Sequence, residues 1–277
     1  MSLRINQNID AFNAYRNLSV TQGQMSKSLE KLSSGFRINR AADDAAGLAI
    51  SEGLRSQVGG LKVAVRNAQD GISVVQTAEG ALQEVHSILQ RVRDLSVQAG
   101  NDSNNAAART NIKTEIDALG DELIRIGDAT NFNGTKLLDG SASALTFQVG
   151  ASDVAAESQV VVDLSSADVG AIGTAVKGLD VSSAATALAS ITTVDTNIQT
   201  VSTERAKLGA SQNRFEHTIN SLNVAVENLS ASESRIRDTD MAAEMMQFTR
   251  AQILSQAGTA MLAQANQAPQ TVLQLLR

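Results

Sequence analysis

From Leu54 to Arg93 the chain keeps one alternation without a break: Leu54, Val58, Leu61, Val65, Ala68, Ile72, Val75, Glu79, Leu82, His86, Leu89, Arg93, in steps of three and four residues. A second stripe runs beside it through Val74, Ala78, Ala81, Val85, Ile88, Val92, Leu95 and Ala99. Such spacing places residues on one face of an α-helix, and two adjoining stripes make a broad apolar face. The first stripe spans about 39 residues, roughly 60 Å of helix at ~1.5 Å per residue. A helix of that length does not fit inside a compact globule and needs partners of similar length.

The partners are in the same chain. Ile112, Ile116, Leu119, Leu123 and Ile126 repeat the alternation after Gly100-Asn101-Asp102-Ser103-Asn104-Asn105, a turn sequence at which the chain is expected to double back. The pattern returns from Val194 through Ile198, Val201, Arg205, Leu208, Gln212, Phe215, Ile219, Leu222, Val226, Leu229 and Glu233 to Ile236. Leu145–Val149 and Ser158–Leu164 read as paired strands joined through Gly150-Ala151-Ser152-Asp153, while Ser-, Ala- and Gly-rich residues 165–190 read as an irregular insert.

Both ends are helical in pattern. Leu18, Gln22, Met25, Leu29 and Leu32 hold a heptad spacing, preceded by Ile5, Ile9 and Phe12. Ala251, Leu254, Gly258, Met261, Ala265, Ala268, Val272 and Leu275 hold it near the other end, with a second apolar edge at Ile253, Leu262, Leu273 and Leu276. A terminal helix that is apolar on several sides is expected to be buried on several sides, which points to self-assembly. Pro269 inside this pattern is expected to kink or break the helix. Glycines 59, 60, 71 and 80 within the longest helix are either tolerated or mark close approach by a neighbour.

The expected fold class is therefore mainly α: an elongated bundle of long antiparallel helices with coiled-coil-like terminal helices and a small β-hairpin region. Residues 1–43 with 235–277 are expected to form a terminal helical core. Residues 44–234 are expected to form a helical-bundle domain carrying the hairpin at about 145–164 and the irregular insert at about 165–190.

Composition narrows the function. Cysteine and tryptophan are absent, proline occurs once, and aromatics make up 3%, so disulfides, thiolate chemistry and Cys-ligated metals are excluded. The net charge of −6 argues against a general nucleic-acid binder. Charge is unevenly spread: residues 1–40 carry six bases and two acids, residues 235–277 carry four bases and three acids, and the middle carries a net −11. No apolar run is long enough to span a membrane, and Met1–Asn8 leads into no signal-peptide core.

Catalytic patterns are wanting. Ser28-Leu29-Glu30-Lys31 matches S-x-x-K but lacks the companion boxes and lies in a heptad helix. His86, between Leu82 and Leu89, reads as a core histidine, and Asp43-Asp44 as a helix cap and first-turn acid. Glu79, Arg93, Arg205 and Glu233 are polar breaks in apolar seams, suited to setting register or meeting another subunit. No catalytic residue, no metal ligands and no cofactor are expected.

Residues 33–51, Ser-Ser-Gly-Phe-Arg-Ile-Asn-Arg-Ala-Ala-Asp-Asp-Ala-Ala-Gly-Leu-Ala-Ile-Ser, closely resemble the N-terminal signature of bacterial flagellins. Leu3-Arg4-Ile5-Asn6-Gln7-Asn8, Gln90–Gln98, Phe132-Asn133-Gly134 and Gln264–Arg277 resemble the same family, in family order. The resemblance covers about residues 1–165 and 190–277, and the middle is too short for the family's variable outer domains. It implies a short-form flagellin, a structural subunit that polymerises with itself into the extracellular flagellar filament and drives swimming. It further implies export through the flagellar type III apparatus, a flagellin chaperone, filament cap and junction proteins as partners, and no nucleic acid or membrane insertion. Assembly is then expected through Ile5, Ile9, Phe12, Leu18, Met25, Leu29 and Leu32 at one end. At the other it is expected through Leu254, Met261, Leu262, Val272, Leu275 and Leu276. By the same resemblance Arg91, Leu95 and Glu115 are candidate contacts to a host Toll-like receptor, and the protofilaments switch between two packings, a switch expected at residues 145–164 and at the facing surfaces of the long helices. The competing readings are a hook–filament junction protein, a non-flagellar type III secreted coiled-coil protein, and an enzyme.

Overall fold

The structure, a computed structural model, describes residues 7–141 and 144–275, with side chains as far as Gln267. Its elements in order are α1 (Ile9–Ser34), α2 (Ala45–Ala99), α3 (Ala106–Ala129), β1 (Asn131–Phe132), β2 (Thr135–Lys136), β3 (Ala144–Gln148), α4 (Ala155–Ser158), β4 (Gln159–Asp163), α5 (Val169–Lys177), α6 (Ala184–Arg237) and α7 (Met241–Leu275). The chain is mainly α. The long periodic stretches are helices, and they run further than the stripes that betray them: α2 has 55 residues and α6 has 54. Residues 1–58 with 228–277 form one compact unit, and residues 59–227 form another.

In the first unit α1 and α7 pair antiparallel. Leu18 lies against Gly258, where an added Cβ would stand 3.3 Å from its Cδ1. Lys31 reaches Glu244 at 3.8 Å, and the Asn8 side chain donates to the Ala265 carbonyl at 2.7 Å. The least exposed residues of α1 step through Ala11, Ala14, Leu18, Thr21, Met25, Ser28 and Leu32; those of α7 step through Glu244, Phe248, Ala251, Ser255, Gly258, Leu262 and Ala265. Both runs alternate threes and fours, which is a coiled-coil seam. It is built largely of Ala, Ser, Thr and Gly. Small residues let two helices approach closely, and Leu18, Met25, Leu32, Phe248 and Leu262 fill the space between them.

Pro269 does not end α7, which stays helical to Leu275. Proline has no N–H, so the carbonyl four residues back loses its intrahelical donor. That carbonyl belongs to Ala265, and it accepts from Asn8 Nδ2 instead, while Asn8 Oδ1 caps α1 by accepting from the Ala11 N–H at 3.0 Å. One amide thus closes one helix and mends the other, a task that needs both a donor and an acceptor. Asn8→Asp keeps the cap and removes the donor, so it is expected to cost about 1 kcal/mol. Pro269→Ala restores an N–H for Ala265 and should remove most of that cost. A double-mutant cycle on the full chain, read by thermal unfolding, checks this; additive effects would show that the two sites are uncoupled.

The second unit has one continuous core. It runs along α2 from Ala68 to Ala99, takes Ile112, Ile116 and Leu123 from α3, and closes with Val194, Val201, Leu208 and Phe215 of α6. Three contacts fix the antiparallel register of α2 and α6: Arg93 Nε to Asp195 at 2.7 Å, Arg205 to Glu79 at 3.6 Å, and Phe215 on Gly71. Glu79, Arg93 and Arg205, three of the polar breaks in the seams, pair across this helix pair. The chain turns at residues 100–105 as expected: Asn105 caps α3 by accepting from the Ala108 N–H, and Arg109 Nε donates to the Ala99 carbonyl at the end of α2.

The hairpin pairs β3 with β4 antiparallel, Ala144 opposite Asp163 and Gln148 opposite Gln159. β1 and β2 form a smaller ladder around Asn133 and Gly134, both at positive φ. Residues 165–190 are not the irregular insert expected from their composition. They hold α5, capped by Asp168, and the first turn and more of α6. The reason is close packing. A Cβ on Gly173 would stand 2.9 Å from the Gly120 carbonyl, and one on Gly127 3.1 Å from the Gly170 nitrogen, so the glycines there seat α5 on α3. The glycines of α2 divide. Gly71 meets the Phe215 ring and Gly60 meets Ala151, whereas Gly59 and Gly80 face open space.

Candidate assembly site

The candidate site is the set of large apolar side chains left exposed outside the α1–α7 seam. On α1 they are Ile9, Phe12 (72% exposed), Tyr15, Val20 and Leu29; on α7 they are Met241, Met245, Met246 (67%), Ile253, Leu254 and Met261 (67%). Those of α7 fall on two adjoining stripes, Met241–Met245–Thr249–Ile253 and Met246–Arg250–Leu254–Met261, each following helical spacing. Met245, Met246, Thr249, Arg250, Ile253 and Leu254 line a shallow groove of about 520 Å³. Exposed hydrocarbon gathered in this way on one helix pair makes it the candidate for a contact surface.

The residues expected from the sequence to carry assembly divide between two places. Ile9, Phe12, Leu29, Leu254 and Met261 face outward, while Leu18, Met25, Leu32 and Leu262 lie in the seam. Ile5 and the side chains of Val272, Leu275 and Leu276 lie outside the described residues. Tyr15, Val20, Met241, Met245 and Met246 belong to the outward face and were not among those expected. The spacing Met241–Met245 and Met246–Arg250–Leu254 was the available signal. The heptad reading put Gln22, Leu29, Leu254 and Met261 in the seam. There Thr21, Ser28, Ser255 and Leu262 stand instead; three of the four are small, which lets the backbones approach closely.

The signature run at residues 33–51 forms the joint at the end of this pair. Gly35 closes α1 at φ 75°, its N–H on the Lys31 carbonyl. Arg37 N–H donates to the Arg237 carbonyl at 2.6 Å, and its guanidinium donates to the Ile236 carbonyl at 2.6 Å, so Arg37 satisfies the open carbonyls at the end of α6. Arg237 lies over the Phe36 ring at 4.7 Å and donates to Glu52 at 2.6 Å. Ile38 is 1% exposed and sits where any side chain on Gly47 would stand. Asp44 accepts from the Gly47 N–H and opens α2. Asp43 lies in the preceding loop rather than in the helix: it accepts from the Arg40 and Asn39 N–H groups, which hold its carboxyl below the usual carboxylate range. Ser28 and Lys31 of the S-x-x-K match are both used structurally, in the seam and toward Glu244.

In the second unit Arg91 on α2 and Glu115 on α3 pair at 2.6 Å with 56% and 44% of their side chains exposed. Leu95 is 2% exposed within the core, so a partner approaching this surface reaches Arg91 and Glu115 but not Leu95. His86 Nε2 lies 3.0 Å from the Gln90 amide nitrogen on the same helix. Among the described residues no group of three His, Asp or Glu side chains is placed to hold a metal ion, and no helix is long and apolar enough to cross a membrane.

Two family models cover most of the chain. One, described as the bacterial flagellin N-terminal helical region, matches residues 5–143; the other, the bacterial flagellin C-terminal helical region, matches residues 191–276. A flagellin of Halalkalibacterium halodurans is 54% identical over 273 residues, covering 99% of this chain and 99% of that protein. A flagellin of Bacillus subtilis is 50% identical over 307 residues, covering 99% of this chain and 100% of that protein. The crystal structure of Bacillus cereus flagellin is 32% identical with a TM-score of 0.49, covering 57% of this chain and 88% of that one. With both helical regions matched in order and relatives at this identity over nearly its whole length, the chain belongs to the bacterial flagellin family.

Proposed function

We propose that this chain is the structural subunit of a flagellar filament and that the outward apolar face of the α1–α7 pair is its principal subunit contact. The observation that carries the reading is the set of large apolar side chains left exposed on that pair, among them Phe12, Met246, Ile253, Leu254 and Met261, although its seam holds Leu18, Met25, Leu32, Phe248 and Leu262. Burying that face against a second copy releases about 25 cal/mol per Å² of apolar area. A patch that meets a different patch on the next copy builds an open helical array where the rotation it imposes does not close into a ring. Residues 1–43 with 235–277 then make the inner layer of the filament, and the hairpin at 145–164 is where two packings of the subunit differ. An extracellular location, export through the flagellar type III apparatus, a chaperone, and cap and junction partners belong to the same reading. The test is growth of the purified full chain from sheared filament seeds or by salting out, viewed by negative-stain microscopy. Long filaments are expected. Small discrete oligomers alone would favour a junction protein or a coiled-coil adaptor.

Recognition of the monomer by a host Toll-like receptor is proposed at Arg91 and Glu115, with Leu95 supporting them from beneath. Their mutual ion pair presents a preformed polar patch on two packed helices. Arg91→Ala should lower receptor signalling by depolymerised protein while leaving its helicity unchanged, since an exposed pair contributes only about 0.2–1 kcal/mol. Unchanged signalling rejects the assignment.

A further inference from the structure

The chain has six methionines and neither cysteine nor tryptophan, so its oxidisable sulfur is all thioether. Four of the six, Met241, Met245, Met246 and Met261, lie on α7, and all four are 48–67% exposed. Met245 and Met246 line the groove, beside Ile253 and Leu254. Of the other two, Met25 is half-buried in the α1–α7 seam. Among the described residues, exposed sulfur is thus gathered on the helix pair that the proposed function uses for assembly.

We propose that these four methionines are an oxidation site through which peroxide blocks assembly of the free subunit. The inference rests on the α7 face being the subunit contact. The thioether sulfur attacks one oxygen of hydrogen peroxide. An S–O bond forms, the O–O bond breaks, and the leaving hydroxide departs as water with the proton given up by the oxygen now on sulfur; sulfur loses two electrons and the peroxide gains them. The product is a sulfoxide, polar and chiral where an apolar side chain stood. A sulfoxide buried in an apolar contact carries a strong acceptor with no donor opposite it, which disfavours burial. Methionine also suits such a surface for an independent reason, its flexible chain adapting to whatever faces it. The modification is reversible by enzymes of the methionine sulfoxide reductase class, so the blocked subunit is recoverable.

The test treats full-length monomer with hydrogen peroxide, locates sulfoxides by peptide mass spectrometry, and follows seeded filament growth. A variant with Met241, Met245, Met246 and Met261 all changed to Leu is run beside it, as is oxidised protein returned through a sulfoxide reductase. Oxidised wild-type protein is expected to stop elongating with its helicity unchanged, the Leu variant to show the same elongation rate before and after peroxide, whatever that rate is, and reduction to restore wild-type growth. Wild-type protein that elongates normally with sulfoxide at all four positions overturns the inference. So does a Leu variant that peroxide still arrests, because the sensitive group then lies elsewhere. Failure of untreated wild-type protein to elongate at all would instead count against the filament reading itself.

Discussion

A chain carrying Ile253→Glu and Leu254→Glu folds as before and forms no filaments at concentrations where the unaltered chain assembles completely. Both side chains are half or more exposed, at 60% and 50%, and neither sits in the α1–α7 seam. Surface changes of this kind alter stability by about 0.5 kcal/mol or less. In assembly each loses the burial of the half or so of a large aliphatic group still exposed in the free pair, roughly 0.8–1.5 kcal/mol apiece. Together that is one to two powers of ten in the association constant at about 1.4 kcal/mol per tenfold, to which the desolvation of two carboxylates is added. Sedimentation of seeded reactions over a concentration series measures it. Pelleting indistinguishable from the unaltered chain would remove α7 from the interface.

The second large effect lies at Phe215. Its side chain is fully buried, meets Phe147 edge-on with ring centroids 5.4 Å apart, and rests on Gly71. Phe215→Ala is expected to cost about 3–5 kcal/mol, the lost burial plus the cavity left behind. Gly71→Ala would bring a Cβ to 2.7 Å from the Phe215 Cζ. The ring is packed on all sides and has little room to retreat, so overpacking at about 1–3 kcal/mol outweighs the ~1 kcal/mol gained in helix propensity. Gly80→Ala, with nothing within 4 Å of the new methyl, takes the propensity gain alone and stabilises. Urea unfolding of the three single variants and of the Gly71→Ala, Phe215→Ala pair separates these terms. In the pair the methyl enters vacated space, so its cost should vanish; equal cost in both backgrounds would place the strain elsewhere.

Much of this architecture is legible in the residues. A three-and-four alternation sustained from Leu54 to Arg93 leaves little room for any reading but a long helix, and the hairpin announces itself in Val160, Val161 and Val162 against Leu145 and Phe147. What periodicity does not carry is the identity of the neighbour. Leu29, Leu254 and Met261 fall at heptad spacing because a helix has apolar residues on more than one side, and the pattern alone does not say which side meets the other end of the same chain. The answer depends on how closely the backbones approach, which Ser28, Ser255 and Gly258 settle through their size. Composition misleads for the same reason between residues 165 and 190. Gly170 and Gly173 look like flexibility and are points of contact with Gly127 and Gly120. Gly71 and Gly80 lie on the same helix and are told apart only by Phe215, which is distant in sequence.

The small-residue seam of α1 and α7 has a consequence for how such a polymer begins. Eight of the fourteen seam positions are Ala, Ser, Thr or Gly, so closing the pair buries less hydrocarbon than a seam of large residues would, while the apolar groups left exposed outside it find cover, on the proposed reading, against other copies. Two free subunits that meet offer each other a fraction of that cover. The exposed end of an existing polymer offers all of it. Growth is therefore favoured over spontaneous initiation, with a lag that seeds abolish and a threshold concentration below which subunits stay apart, so that new material is added where the structure already ends.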